Sequence, residues 1–160
     1  MKLLLIAPGW TKEEQKQRKR SRVFKAPPQG LLNVAAVTPS DIDIELIDEN
    51  IERVRFGKTP DLIGITVTTA GAPRAYEIAD TYRKKGIPVV LGGPHVSYIT
   101  EEALTHADSV VIGECEGAWE KLLEDFRSGG KENLKSTYIA DERADLSNTP
   151  LPRLDILKKE

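Results

Sequence analysis

The sequence predicts an α/β domain built on a parallel sheet, and three observations carry that prediction. Short, nearly all-apolar runs alternate with longer amphipathic stretches along the chain. The runs are too apolar for strands with one wet face, so both faces must be covered, as in parallel sheets. Glycine, proline or threonine follows most of them, as in Ala7-Pro8-Gly9, Thr68-Thr69-Ala70-Gly71, Gly92-Gly93-Pro94 and Gly113-Glu114-Cys115-Glu116-Gly117. Irregular loops therefore sit at the strands' carboxyl ends, where open α/β sheets receive ligands.

Taken in order, residues 3–6 are the first strand. Lys2 ahead of an apolar run resembles the start of a signal peptide, but the run is too short and Pro8-Gly9 ends it. Residues 11–25 are strongly polar, with Lys12, Lys16, Arg18, Lys19, Arg20, Arg22 and Lys25 against Glu13 and Glu14. They read either as a basic flap over an anionic ligand or acidic partner, or as a solvated loop. Residues 31–37 suit a short apolar helix stopped by Pro39. Ile42, Ile44, Leu46 and Ile47 mark the second strand, with Asp48-Glu49-Asn50 at its exit, and residues 51–58 are ambiguous.

Residues 62–67 are the third strand. Thr68 and Thr69 at its exit suit both hydrogen bonding to a ligand and capping of the next helix. In that helix Ala75, Ile78, Ala79 and Tyr82 keep helical spacing, and Gly86 marks the stop. Residues 89–91 form the fourth strand, which Gly92-Gly93-Pro94 cannot continue. A short helix over 97–107 leads to the fifth strand, 109–112. Ala118, Trp119, Leu122, Leu123 and Phe126 then make one face of a helix ended by Gly129-Gly130. Residues 137–140 are a candidate edge strand outside this five-strand frame, and the proline-broken residues 146–153 read as a linker.

The 160 residues suit one domain, since a chain of this size buries roughly 70% of its unfolded surface. A hydrophobic content of 39%, a charged content of 30% and a net charge of -2 describe an ordinary globular chain and argue against a general nucleic-acid coat. The single cysteine, Cys115, excludes an internal disulfide and a cysteine-cluster metal centre made by this chain alone. No segment approaches the ~20 apolar residues of a membrane span, and a cytoplasmic location is expected.

Collected at the strand exits, glycines and hydroxyls dominate, and no nucleophile, base and orienter come together. Such a set suits holding a large preformed cofactor better than breaking a bond. His95 is the one candidate base or ligand, although a lone histidine beside a turn is more often structural. His106 reads as a surface helix residue.

Four segments, Pro27-Pro28-Gln29-Gly30-Leu31-Leu32-Asn33-Val34-Ala35-Ala36, Asp61-Leu62-Ile63-Gly64-Ile65-Thr66, Leu91-Gly92-Gly93-Pro94-His95 and Ile112-Gly113-Glu114-Cys115-Glu116-Gly117, carry a resemblance. They resemble the N-terminal cobalamin-binding domain of class B radical S-adenosylmethionine enzymes, among them magnesium-protoporphyrin monomethyl ester oxidative cyclases and cobalamin-dependent radical methyltransferases. The likeness covers residues 1–157. It implies a doubly wound, flavodoxin-like (Rossmann-like) sheet of five parallel strands, with helices on both faces and cobalamin at the strand ends. By that resemblance Thr66, Thr68 and Thr69 would face the nucleotide tail, and Gly92 and Gly93 would allow its close approach. Gly113, Glu114 and Glu116 would line the other wall.

Two departures stand out. The family's typical last motif has glycine where Cys115 stands. The Asp-x-His-x-x-Gly loop, by which cobalamin mutases and methionine synthase supply an axial histidine, is absent after the first strand. Cobalamin is therefore expected to bind without a histidine from that loop. The resemblance also divides the chain into a cobalamin-binding-like domain over 1–145 and a linker over 146–160. That linker would lead to a C-terminal radical domain bearing a Cys-x-x-x-Cys-x-x-Cys motif, a 4Fe-4S cluster and S-adenosylmethionine, none of which belongs to these residues. Turnover, whether methyl transfer or oxidative cyclisation, is expected only with that partner domain. One alternative keeps the fold without cobalamin, as a structural or substrate-docking cap. Another is an unrelated flavin or signalling module, for which the first exit lacks both paired acids and a phosphate loop.

Overall fold

The computed structural model describes residues 1–9, 26–140 and 149–158. The basic stretch 11–25 and the first part of the expected linker, 146–148, lie outside the described residues. Six strands, β1 (Lys2–Ala7), β2 (Asp43–Asp48), β3 (Leu62–Thr66), β4 (Val89–Gly92), β5 (Ser109–Ile112) and β6 (Thr137–Ile139), form one parallel sheet in the order β2-β1-β3-β4-β5-β6. Helices α1 (Gln29–Val37) and α5 (Ala118–Gly129) cover one face, while α2 (Ala72–Arg83), α3 (Pro94–Tyr98) and α4 (Thr100–His106) cover the other. This is the doubly wound arrangement expected.

Strand alternation divides the core. Leu3, Leu5 and Ala7 of β1 pack beneath α1 and α5, whereas Leu4 and Ile6 pack beneath α2. All five are buried, which is why the first strand reads as a continuous apolar run.

The expected five strands become six, because β6 pairs with β5 at the edge. Tyr138 supplies the reason: its ring is buried in the core beneath α5, and its hydroxyl donates to Asp125 at 2.7 Å. The single helix expected over 97–107 is two. Pro94 starts α3, a position where its fixed φ suits a helix and its missing N–H costs nothing. Ile99, with φ -126° and ψ 56°, separates α3 from α4, and the Thr100 hydroxyl donates to Val96 O across the break.

Strand order reverses between β1 and β3, and a buried ion pair fixes this point. Arg74 in α2 donates from Nε and Nη2 to the two carboxylate oxygens of Glu49, at 2.9 and 2.7 Å. Gly9 N–H donates to the same carboxylate at 3.2 Å, and Arg74 Nη1 lies 2.7 Å from Glu77. The β1 exit, the β2 exit and the first turns of α2 are thereby joined. Bidentate geometry suits guanidinium and not ammonium.

Residues 149–158 run back over the domain. Arg153 N–H donates to Leu32 O of α1 at 3.2 Å, Ile156 and Leu157 pack against the α1/α5 core, and Lys158 pairs with Glu52 at 2.7 Å. Among the described residues no helix is long and apolar enough to cross a membrane.

The Arg74 and Glu49 side chains are only 7% and 3% exposed, so removal of the cation strands a buried carboxylate. Urea unfolding of Arg74→Leu is expected to show a loss of about 3 kcal/mol, with Arg74→Lys losing less. An unchanged midpoint would show that the pair does not hold the reversal point.

Candidate functional site

A cleft of about 310 Å³ opens at the carboxyl ends of β3, β4 and β5, between the sheet and helices α1 and α5. Small residues create it. Gly64, Thr66 and Gly92 occupy positions on the α1/α5 side where large side chains would otherwise meet the helices, and Thr66 sits directly opposite Gly92. Leu5, Val90, Val111 and Trp119 complete the floor and inner walls, while Gly30, Leu31, Asn33 and Val34 of α1 form the outer wall.

Each glycine acts differently. A Cβ on Gly64 would come 2.9 Å from Leu5 Cδ2 and 3.5 Å from Trp119 Cη2, so its absence lets these two side chains settle against the strand, and a methyl group there would push them toward the cleft. A Cβ on Gly92 would meet only Val111, at 3.8 Å, leaving room for a ligand to approach the backbone. Gly93 has φ +104°, and its Cβ would lie 3.0 Å from Thr66 Oγ1 and from the backbone N and O of Val67. A bulky residue at Gly93 would therefore disturb the β3 exit itself, whereas one at Gly92 would fill the cleft.

The β4 and β5 exits are tied together. The Ser97 hydroxyl donates to Gly93 O at 3.0 Å and accepts from Gly113 N–H at 3.0 Å. Beyond Gly113, Glu114, Cys115 and Glu116 line the cleft, and Trp119 N–H donates to Cys115 O at 2.8 Å. Cys115 lines the cleft and packs against the α1/α5 core. Burial, reinforced by the neighbouring Glu116 carboxylate, pushes its thiol up to about 12, so it stays protonated and weakly nucleophilic.

A second depression of about 450 Å³ lies beside the first, at the β1/β3 reversal point, and shares Gly30 and Thr66 with it. Ala7, Pro8, Gly9, Gln29, Asn50 and Thr68 contribute to its lining.

Of the residues singled out in the sequence, Thr66, Gly92, Gly93, Gly113, Glu114 and Glu116 meet around the cleft, and Thr68 lies in the adjoining depression. Thr69 stands apart, with its Oγ1 3.3 Å from His95 Nδ1. His95 is buried and lines neither cavity; its backbone N–H donates to Val67 O at 3.1 Å. It secures the β3 exit from behind. His106 is half-buried rather than a plain surface residue, stacked on Tyr76 at 4.2 Å and hydrogen-bonded to Asp80 at 3.0 Å. Leu5, Asn33, Ser97 and Trp119 gave no sign of their place from sequence. Gly64 did, because an isolated glycine inside an apolar strand marks a close approach. No group of three or more metal-ligating side chains occurs among the described residues.

A largely apolar cleft at the carboxyl edge of a doubly wound sheet lies where folds of this class receive ligands. Residues 19–123 match the family model of the B12 binding domain, and the chain belongs to that family. It is 46% identical over 106 residues to bacteriochlorophyllide d C-8(2)-methyltransferase of Chlorobaculum tepidum, a match covering 66% of this chain and 23% of that protein. Against bacteriochlorophyllide d C-12(1)-methyltransferase of the same organism the identity is 35% over 120 residues, covering 71% and 25%. An uncharacterized methyltransferase of Pyrococcus horikoshii is 30% identical over 142 residues, covering 81% and 30%. The chain thus spans less than a third of the length of these three relatives. No solved structure matches it.

The Cys115 thiol near 12, against an ordinary value of about 9, leaves about a thousandfold less thiolate at pH 8. Alkylation by iodoacetamide is expected to be slower by a similar factor in the native chain than in urea; equal rates would refute the buried placement. Burial also holds the Tyr76 and Tyr138 phenols near 12. The unfolded chain therefore loses these protons first, and stability is expected to fall as pH rises from about 9 to 12, visible as a declining melting temperature.

Proposed function

We propose that this chain is the cobalamin-holding module of a radical S-adenosylmethionine enzyme, with the nucleotide tail of the cofactor lodged in the cleft. The observation that carries the reading is the cleft itself: on a chain of the B12 binding domain family, glycines at two strands open a deep slot under α1 and α5. The residues fit the group. Gly92 exposes backbone to a close approach, the floor is apolar, and the rim carries hydroxyl, amide and carboxylate groups suited to a ribose phosphate linker.

Thr66 and Asn33 donate to the linker, and Glu114 and Glu116 accept from ribose hydroxyls. Thr68 and the other residues of the adjoining depression at the reversal point would hold the corrin edge. Thr69 acts one step back, through its contact with His95. Cobalamin supplies a methyl-carrying cobalt centre when bound. The chain's own part is to hold the corrin edge, to bury the tail away from water and to leave the opposite face open to a partner domain. Methyl transfer as the whole enzyme's reaction is supported by the likeness to the two bacteriochlorophyllide d methyltransferases. A 4Fe-4S cluster and S-adenosylmethionine belong to that partner domain, to which residues 146–160 lead, and the enzyme works in the cytoplasm.

The chain has two histidines, and neither lines either cavity, so neither would supply an imidazole to bound cobalamin. The absorption spectrum of bound corrinoid is expected to be the same in His95→Gln and His106→Gln as in the parent chain. A spectral change in either variant would overturn histidine-free binding.

Loading with hydroxocobalamin followed by desalting is expected to leave a coloured protein with a corrin spectrum. Gly92→Leu, which fills the cleft without a positive-φ penalty, is expected to weaken retention at least tenfold at an unchanged melting temperature. A parent chain that emerges colourless, with no heat of binding, would sink the cobalamin reading and favour the cap.

A further inference from the structure

Within that reading, the cleft floor goes beyond accepting a tail: we propose that it selects corrinoids by the polarity of the tail base. An apolar benzimidazole is admitted and a purine is disfavoured.

The floor of the cleft is bounded by Leu5, Gly64, Val90 and Trp119. None of them presents a hydrogen-bonding group to it. Gly64 lies in the interior of the sheet between Leu5 of β1 and Val90 of β4, so its amide and carbonyl are engaged in strand pairing. Trp119 is the one floor side chain with a polar atom, and that atom is spent: the indole N–H donates to Thr38 Oγ1 at 2.8 Å, and the Thr38 hydroxyl in turn donates to Val34 O at 2.7 Å. The chain of bonds fixes the ring so that carbon, at Cη2, faces the Gly64 position. The polar side chains of the site, Thr66 and Glu114 among them, belong to the strand exits further out.

A base reaching the floor therefore trades water for carbon at Leu5, Val90 and Trp119. Dimethylbenzimidazole has only its ring nitrogens to desolvate, and its methyl groups add apolar contact at the bottom. Adenine carries an exocyclic amine and further ring nitrogens that would lose their water without replacement. Buried polar groups left unpaired are penalised far more than a missing methyl group is. The discrimination lies in the floor and does not require any contact with the corrin.

The test is a titration of the 160-residue chain with three corrinoids that share one ring: cobalamin, its analogue with adenine as the base, and cobinamide, which has no tail. Each affinity is corrected for that corrinoid's own base-detachment equilibrium, read from its absorption spectrum. The expected result is at least tenfold tighter binding of cobalamin than of the adenine analogue, with cobinamide weakest. Equal or tighter binding of the adenine analogue would overturn base selection while leaving cobalamin binding intact. Cobinamide binding as tightly as cobalamin would overturn it too, by removing the tail from the cleft. Loss of all three would instead sink the cobalamin reading on which the inference rests. Gly64→Ala, checked for folding by its thermal melt, raises the floor. It is expected to weaken cobalamin at least tenfold and cobinamide less than twofold, and equal losses would refute the role of the floor. If this variant does not fold, the three-ligand series on the parent chain decides.

Discussion

The structure depends on a shortage of side-chain volume at one end of one face of the sheet. Along most of its length the sheet is closed by α1 and α5, through Leu31, Leu32, Ala35, Trp119, Leu122 and Leu123. At the carboxyl ends of β3 and β4 the residues on that face shrink to Gly64, Thr66 and Gly92, and the helices cannot follow the sheet inward. A rigid α/β layer does not collapse to fill such a gap, because its interiors are close-packed and its helices span several strands. The cleft is set by the backbone positions and side-chain sizes of the sheet.

Holding such a gap open requires the surrounding loops to be fixed from outside it. The Glu49 and Arg74 pair does this at the β1/β3 reversal, where one carboxylate takes a guanidinium and a backbone N–H at once. Ser97 does it between β4 and β5 with a single hydroxyl that both donates and accepts. His95 does it behind β3, by its backbone bond to Val67 and its contact with Thr69. Polar groups therefore clamp the cleft from behind, and its floor remains carbon.

The architecture was legible because parallel strands buried on both faces leave a plain record, as residues 3–6, 62–67 and 109–112 do. Residues 97–107 were read as one helix because their composition carries no stop, and the break at Ile99 is a backbone event tied to the Thr100 hydroxyl. Thr137–Ile139 stayed outside the five-strand frame because three residues hold little pattern; the buried contacts of Tyr138 are tertiary. The strand exits named most of the rim, Thr66, Gly92, Gly93, Gly113, Glu114 and Glu116. The floor was hidden, since Leu5 and Trp119 are ordinary core residues until their facing partner, Gly64, is known. Cys115 was ambiguous for the same reason, because only the turn at Gly113 and Gly117, both at positive φ, decides which way it faces.

One feature outside the cleft bears on it mechanically. Residues 149–158 run from α1 to the β2 side of the domain, hooked by Arg153 N–H on Leu32 O and anchored by Lys158 on Glu52. Helix α1 is at the same time the outer wall of the cleft, through Gly30, Leu31, Asn33 and Val34. Tension or torque along this stretch is thus delivered to the outer wall of the cleft, whereas the sheet that forms the floor is braced by five neighbouring strand pairings. The fold has a stiff bed and a handle fastened to one wall.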